Sequence, residues 1–135
     1  MSDLLDELNL ENPATPEELE AAEAALQFSL PGDYKEFMLT NGAGEGFIGK
    51  HYIILWKVSE LAQFNLEYQF PVYAPGFIAF ASSGGGDAFA YDTRVNPPPI
   101  VEVPFIGMSH EDGLRVADNF GHLLQRMRET PDSLF

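Results

Sequence analysis

The residues best placed to do chemistry are Ser82, Ser83 and Asp87, which flank three consecutive glycines at positions 84–86. A glycine-rich loop that opens a helix can bind phosphate, because the helix N-terminus presents amide groups to the anion. Here the next residues, 88–91, place aromatic side chains at every second position, as strands do. The pattern predicts a strand, a tight turn and a strand over residues 77–92, with Asp87 accepting hydrogen bonds from the loop amides. A ligand-binding loop is the alternative.

The serines and aspartates of this region do not form a recognisable catalytic set. Ser82 and Ser83 lack the G-x-S-x-G elbow and the following helix of a nucleophilic serine. Asp87 and Asp92 are five positions apart, so in a regular strand they face opposite sides of the sheet and cannot converge on one glycosidic bond. The run from Asp92 to Arg94 is more typical of a turn. The sequence therefore predicts no catalytic residues and a protein that is not an enzyme.

Metal and cofactor sites are also disfavoured by the residue types present. The chain has no cysteine, and its three histidines fall in different predicted elements without the i, i+4 spacing of a helical metal site. A GxGxxG match covers residues 44–49, but a predicted helix precedes it and a strand-like run follows it, the reverse of a dinucleotide fingerprint. We interpret residues 42–49 as a loop. No metal and no cofactor are predicted.

The net charge indicates the kind of partner. The chain has 21 Asp and Glu residues against 7 Lys and Arg, a formal net charge of −14. Such a surface repels nucleic acid and anionic membranes, whereas it attracts basic proteins. The alternative is that the acidity only confers solubility. The acidic N-terminus lacks the basic flank of a signal peptide, and no apolar run is long enough to span a membrane, so a cytoplasmic protein is predicted.

Helices are predicted at both ends of the chain and strands in its middle. Thr15, Pro16 and Glu18 form a capping-box start for a first helix, and Pro31 begins a second that ends at Asn41. A third helix is expected over residues 58–68, with Ser59 as its cap, and Pro71 and Pro75 enclose an irregular connection. A last helix is expected to bury Val116, Phe120, Leu123, Leu124 and Met127 on one face.

Strands are predicted at residues 52–56, on both sides of the glycines, and at residues 100–103, after a stiff turn at residues 96–99. This order favours a single α+β domain with a mainly antiparallel sheet. Residues 1–14 are expected to be an acidic arm or a short helix. Trp56 fits either the core behind the central strand or the anchor of an interface, and the core is favoured.

A series of different short motifs follows one after another along residues 15–127. They are Thr15-Pro16-Glu17-Glu18-Leu19-Glu20, Leu30-Pro31-Gly32-Asp33-Tyr34-Lys35-Glu36-Phe37, Asn41-Gly42, Leu55-Trp56, Glu60-Leu61, Asn65 with Tyr68, Gly84-Gly85-Gly86-Asp87, Ala90-Tyr91-Asp92-Thr93, Ile100-Val101-Glu102-Val103, and Phe120 with Leu123-Leu124. With these motifs the sequence resembles the SUKH superfamily, which includes bacterial toxin-immunity proteins and a fungal cell-wall assembly regulator.

The resemblance implies an α+β domain that, in many bacterial members, neutralises a toxin by direct binding. Those toxins are often nucleases with basic active faces, which the acidity of this chain suits. The resemblance supplies no catalytic residues. A regulatory or scaffold module and a small-ligand domain are the alternatives, and the oligomeric state is left open. The residues expected to contact a partner are Glu45, Trp56, Asp87, Asp92 and Glu102.

Overall fold

The computed structural model describes residues 8–130, which form an α+β domain. Seven strands make one antiparallel sheet whose spatial order is the order of the chain. The strands are β1 (Leu8–Glu11), β2 (Ala43–Ile48), β3 (His51–Leu55), β4 (Phe77–Ser82), β5 (Asp87–Asp92), β6 (Ile100–Pro104) and β7 (Leu114–Ala117). The helices are α1 (Pro16–Leu26), α2 (Gly32–Thr40), α3 (Leu61–Glu67), α4 (Phe70–Tyr73) and α5 (Phe120–Glu129), with a 3₁₀ turn at Val58–Glu60. The predicted fold class is confirmed.

The N-terminal segment differs from the prediction. Leu8–Glu11 form the edge strand β1, which pairs with β2 so that Asn9 lies opposite Glu45. The prediction of an arm or a short helix is therefore wrong for these residues, and residues 1–7 lie outside the described part of the chain. Four residues are too few to show a clear alternation in the sequence, so the strand depends on its pairing with β2.

Helix α1 begins as its sequence predicts. The Thr15 hydroxyl accepts a hydrogen bond from the Glu18 amide at 3.1 Å, and the Glu18 carboxylate accepts one from the Thr15 amide at 3.0 Å. This reciprocal pair satisfies two amide groups that the first turn of a helix leaves without helical partners. Leu19 and Ala22 are buried, whereas Leu26, the third residue of the expected stripe, is only partly buried.

Helices α2 and α5 meet over an aromatic core. The Tyr34 ring lies edge-on to Phe80, Tyr91 and Phe120, with centroids 5.6, 6.2 and 5.4 Å away. The Asp33 carboxylate of α2 accepts a hydrogen bond from the Gly121 amide at 3.1 Å and so joins the starts of the two helices. Edge-to-face pairs of buried rings stabilise a core beyond their buried area. The expected burial of Tyr34, Phe37 and Met38 is confirmed.

Strand β2 occupies the segment that was predicted to be a loop. Gly44 has a φ of +152°, and a Cβ atom there would lie 1.9 Å from the carbonyl oxygen of Asn9. The glycines are therefore needed because the backbone of β1 passes very close to β2. The loop interpretation of residues 42–49 is wrong, although the segment is equally unlike a dinucleotide site, since it continues into β3 through a tight turn.

The segment after β3 is helical, with a start that differs from the prediction. Residues 58–60 form a 3₁₀ turn that leads into α3, and neither helix has a side-chain cap, so the prediction of Ser59 as a cap is wrong. The connection that was expected to be irregular contains the single turn α4.

Among residues 8–130, no helix has the length and apolar character needed to cross a membrane.

The predicted hairpin is confirmed as β4 and β5. The loop amides of Gly85 and Asp87 donate to the Ser83 hydroxyl at 3.1 and 3.4 Å, so Ser83 takes the capping role that was assigned to Asp87.

The C-terminal region differs from the prediction in one respect. Val116 lies in the short strand β7, which the sequence did not reveal, and α5 begins only at Phe120 after the cap residue Asn119.

Candidate protein-binding groove

A groove of about 520 Å³ lies where β1, β2 and β3 approach the start of α3. Its apolar lining includes Ile54, Trp56 and Phe64, and the rings of Trp56 and Phe64 meet edge-to-face with centroids 5.1 Å apart. Antiparallel pairing places Asn9 opposite Glu45 and Glu45 opposite Ile54, so these three side chains share one face of the sheet. We call this site, with its charged lining described next, the acidic groove.

The charged lining of the acidic groove is mainly negative. Glu11, Glu45 and Glu60 line it, and Lys57 is the one basic residue of the lining. Glu11 and Glu45 are exposed, and Glu60 is half-buried. Two unit charges 4 Å apart in water interact by only about 1 kcal/mol. Several carboxylates around one recess, however, together produce a potential that attracts cations. The groove is therefore suited to a basic side chain rather than to phosphate.

Trp56 is mainly a core residue, as the sequence favoured. Only 7% of its surface is exposed, and its ring stacks on Tyr68 with centroids 6.0 Å apart. Tyr68 in turn packs against Phe105 at 4.3 Å, so a row of rings links α3 to the end of β6. This packing fixes the orientation of the indole where it borders the groove. A cation entering there would meet an aromatic wall held in place before binding.

Glu45 is positioned by Tyr52, its diagonal neighbour on β3. The Tyr52 hydroxyl donates a hydrogen bond to the Glu45 carboxylate, which raises the pKa of Tyr52. The Tyr52 ring also meets Phe47 at 4.9 Å, and a Cβ on Gly84 would come within 3.1 Å of it. The glycine-rich hairpin therefore lies against Tyr52, with Glu45 exposed beside it.

Asp87 and Glu102 are brought together, but away from the acidic groove, since neither lines it. Glu102 lies opposite Phe89 in the β5–β6 ladder, which makes Asp87, two residues earlier on β5, its diagonal neighbour on the same face. Burial, and then a hydrogen bond with Asp87 and the charge of that group, raise the pKa of Glu102 to about 7. Glu102 thus keeps its proton up to near neutral pH. Their contact with a partner stays a prediction.

Asp92 is engaged in the turn that follows β5. Its carboxylate accepts hydrogen bonds from the Arg94 side chain at 2.9 and 3.0 Å and from the Arg94 amide at 3.1 Å. These bonds hold the pKa of Asp92 below its usual value. Asp92 is buried and stays ionised, and the Arg94 guanidinium compensates its charge within the fold. The turn chemistry expected of residues 92–94 is confirmed.

Sequence reasoning missed Glu11, Glu60 and Phe64 as parts of the groove. Glu11 reaches it only because β1 pairs with β2, a contact between segments more than thirty residues apart. The sequence did predict that Glu60 and Phe64 lie at the start of a helix. Their i, i+4 spacing puts the two side chains on one face of that helix, and this spacing was the signal that could have identified them. Nothing in the sequence alone placed that turn beside β2.

Each of the three histidines forms a hydrogen bond with a backbone group. The Nε2 atom of His110 donates to the Pro75 carbonyl at 2.6 Å, that of His51 donates to the Thr130 carbonyl, and the Nδ1 atom of His122 accepts from the Asp118 amide at 3.0 Å. Within residues 8–130, no three side chains of the metal-binding types come together at one point.

Comparison with protein-family models places most of the chain in a known family. The family described as SMI1 / KNR4 (SUKH-1) matches residues 13–126, which is most of the chain. The resemblance expected from the motifs over residues 15–127 is therefore confirmed. No curated protein shows significant similarity to the chain.

Proposed function

We propose, from the premise that this chain belongs to the SMI1 / KNR4 family (SUKH-1), that it is an immunity protein which neutralises a basic toxin by binding it directly. Membership of this family is consistent with a non-catalytic domain. The toxin would be blocked by occlusion of its active face, without any bond being made or broken. The acidic protein would act in the cytoplasm, where a nuclease-type toxin meets its substrate.

The observation that supports this proposal best is the acidic groove. Glu11, Glu45 and Glu60 surround a recess whose aromatic lining, Trp56 and Phe64, is already packed in place. A lysine or arginine of the partner would enter with its charge near the carboxylates and its aliphatic part against the rings. Arginine and aromatic residues are the types that contribute most to binding energy at interfaces. Of the expected contacts, Glu45 and Trp56 are the two that line this groove.

The charge of the whole chain supports the same partner. A net charge of −14 produces a long-range field that accelerates encounter with a basic protein. We therefore expect the association rate to fall as salt is added, because the Debye length shortens from about 10 Å at 0.1 M to about 3 Å at 1 M. The dissociation rate depends mainly on contacts in the groove.

The test is to co-express the toxin encoded beside this gene with the wild-type protein and with the double variant Glu45→Gln/Glu60→Gln. The variant removes two groove charges and keeps the side-chain size, so we expect weaker binding, by about tenfold or more, and loss of protection. The matched control is Glu20→Gln/Glu129→Gln, which removes two exposed charges of α1 and α5 outside the groove. Equal killing with and without the wild-type protein would reject immunity for that pair.

A regulatory or scaffold module is the second function that the resemblance implies, and it would use the same groove. The neighbouring gene distinguishes the two functions. A toxin gene beside the gene for this protein favours immunity, whereas the absence of a neighbouring toxin gene favours regulation. A cellular protein whose binding falls in Glu45→Gln/Glu60→Gln, while the neighbouring toxin does not bind, would support the regulatory function instead.

A further inference from the structure

One long stretch of this acidic chain is almost without charge. Between Glu60 and Asp87 the only charged residue is Glu67. This stretch builds α3, α4, β4 and the glycine-rich hairpin. In a chain with a net charge of −14, a stretch with so little charge is a distinct feature of the sequence.

The helical part of that stretch exposes apolar side chains. Leu66 and Val72 are each 68% exposed, and Tyr73 is 56% exposed. Pro71, next to them on α4, is also exposed. We call these four residues the α3–α4 patch. A surface of this kind marks an interaction site more often than chance, because isolated exposed apolar residues are common but grouped ones are not.

A cleft of about 600 Å³ adjoins the α3–α4 patch. Leu66 and Pro71 belong to both, so the projecting residues and the recess are side by side. The remaining lining is mostly apolar and comes from the end of α1, from α4 and from the start of β4. It includes Leu26, Phe28, Phe70, Phe77 and Ile78.

We propose that a second copy of this chain docks on the α3–α4 patch to form a two-fold symmetric dimer. In such a dimer each copy uses the same surface, so that surface must be complementary to itself, as a projection beside a matching recess can be. Val72 and Tyr73 supply the projection and the cleft supplies the recess. Because the projection and the recess adjoin, the same patch on two copies can interlock about a two-fold axis.

Charge also favours a second copy here. Two molecules of net charge −14 repel each other, and most faces would bring several carboxylates together. Contact through the α3–α4 patch would bring together few charges, because Glu67 is the only charged residue between Glu60 and Asp87 in each copy. Burial of apolar area at about 25 cal/mol per Å² can then exceed the remaining repulsion.

The dimer leaves the acidic groove accessible, so it is independent of the proposed function. Phe64 borders the groove, whereas Ala62 and Leu66 border the cleft. Residues two apart on a helix point about 200° from each other, which puts the groove and the cleft on opposite sides of α3. Each copy of the dimer would therefore present its own groove.

Sedimentation equilibrium of the wild-type protein and of Val72→Glu tests the proposal. We expect a monomer–dimer equilibrium that Val72→Glu weakens by at least about tenfold, because it puts a charge at the centre of the interface. Leu39→Glu, the same kind of change at a side chain of α2 that is 41% exposed and outside the patch, should leave the equilibrium within about twofold. Circular dichroism confirms that each variant is folded, and Leu66→Gln replaces Val72→Glu if that variant is not.

Salt gives a second readout that separates this interface from binding of a basic partner. Screening weakens repulsion between like-charged copies, so we expect the dimer to become tighter as salt is raised, the opposite of the effect on a basic partner. A wild-type protein that stays monomeric up to about 1 mM at both low and high salt overturns the proposal. Equal weakening by Leu39→Glu and Val72→Glu overturns it as well.

Discussion

The side-chain amide of Asn65 makes hydrogen bonds to both backbone groups of Ala79. Its Nδ2 atom donates to the Ala79 carbonyl at 2.9 Å, and its Oδ1 atom accepts from the Ala79 amide at 2.9 Å. The pairing of β3 with β4 is limited to Ser82 and Ala81, and the register of β4 against β5 shifts after Ala79. Ala79 pairs with Ala90 of β5 on one side, and on the other side Asn65 takes the place of a β3 partner and attaches α3 to the sheet.

We predict that Asn65→Ala lowers the free energy of unfolding by about 3 kcal/mol. The substitution leaves the buried amide and carbonyl of Ala79 without partners, and each such group costs about 1–3 kcal/mol. Urea denaturation measures the change. The control is Gln63→Ala on the same helix, whose bond to Glu67 is exposed, and it should change stability by less than about 0.5 kcal/mol. Similar effects of the two substitutions would show that the Asn65 bonds do not carry this energy.

We predict that Gly44→Ala lowers the free energy of unfolding by about 3 kcal/mol, because the new methyl group would lie 1.9 Å from the Asn9 carbonyl oxygen. The conflict is with backbone, so β1 must move away from β2. Gly32→Ala is the control, since a Cβ there meets no atom within 4 Å and its backbone lies in a helix. That change should be neutral or stabilising by up to about 1 kcal/mol. Thermal unfolding of both variants distinguishes a steric effect from a general effect of losing glycine.

The parts of the fold that could be predicted from the sequence are those specified by local chemistry. Thr15 and Glu18 cap α1 through bonds three residues apart, and the glycines at 84–86 turn the chain between two apolar runs. Strand β2 could not be predicted, because Gly44 is required by the approach of a distant backbone. Strand β7 is short and exposes Leu114 at the edge of the sheet, so it shows little alternation, and Val116 was assigned to the helix instead.

The candidate site shows the same division. Glu45 and Trp56 were identified by residue type, but their meeting with Glu11 and Glu60 depends on the pairing of β1 with β2 and on the path of the chain after β3. Asp92 was identified as an acid, yet Arg94, only two residues away, neutralises it. Residue type therefore indicated which groups could bind a cation, and long-range structure decides which of them are grouped together.

We predict that Tyr91→Phe leaves stability unchanged or raises it by up to about 1 kcal/mol. The hydroxyl groups of Tyr91 and Tyr34 are buried and have no hydrogen-bond partner among the described residues, and burial raises the pKa of both groups. Removing a buried polar atom without a partner relieves its desolvation. The contrasting variant is Tyr52→Phe, which loses a bond to Glu45 and should lower stability slightly. A loss of more than about 1 kcal/mol in Tyr91→Phe, measured by urea denaturation, would contradict the prediction.

We predict that stability falls as pH rises from about 5 to about 7 because of Glu102. Its pKa is raised from the usual value of 4.5 to about 7, so over this interval the folded state holds a proton that the unfolded state has lost. The derivative of the unfolding free energy with pH is then negative. Because Glu102 is partly exposed, solvent screening reduces the effect, and we expect a decrease of about 1 kcal/mol.

Glu102→Gln tests this directly. Glutamine can still donate a hydrogen bond to Asp87 but does not ionise, so the fall in stability between pH 5 and pH 7 should disappear. Glu20→Gln, an exposed residue of α1, should keep the wild-type slope. Asp92 and Asp118 do not confuse the result, because their pKa values are lowered and their contribution is lost only at more acidic pH. An unchanged slope in Glu102→Gln, followed by urea denaturation at each pH, would assign the proton to another group.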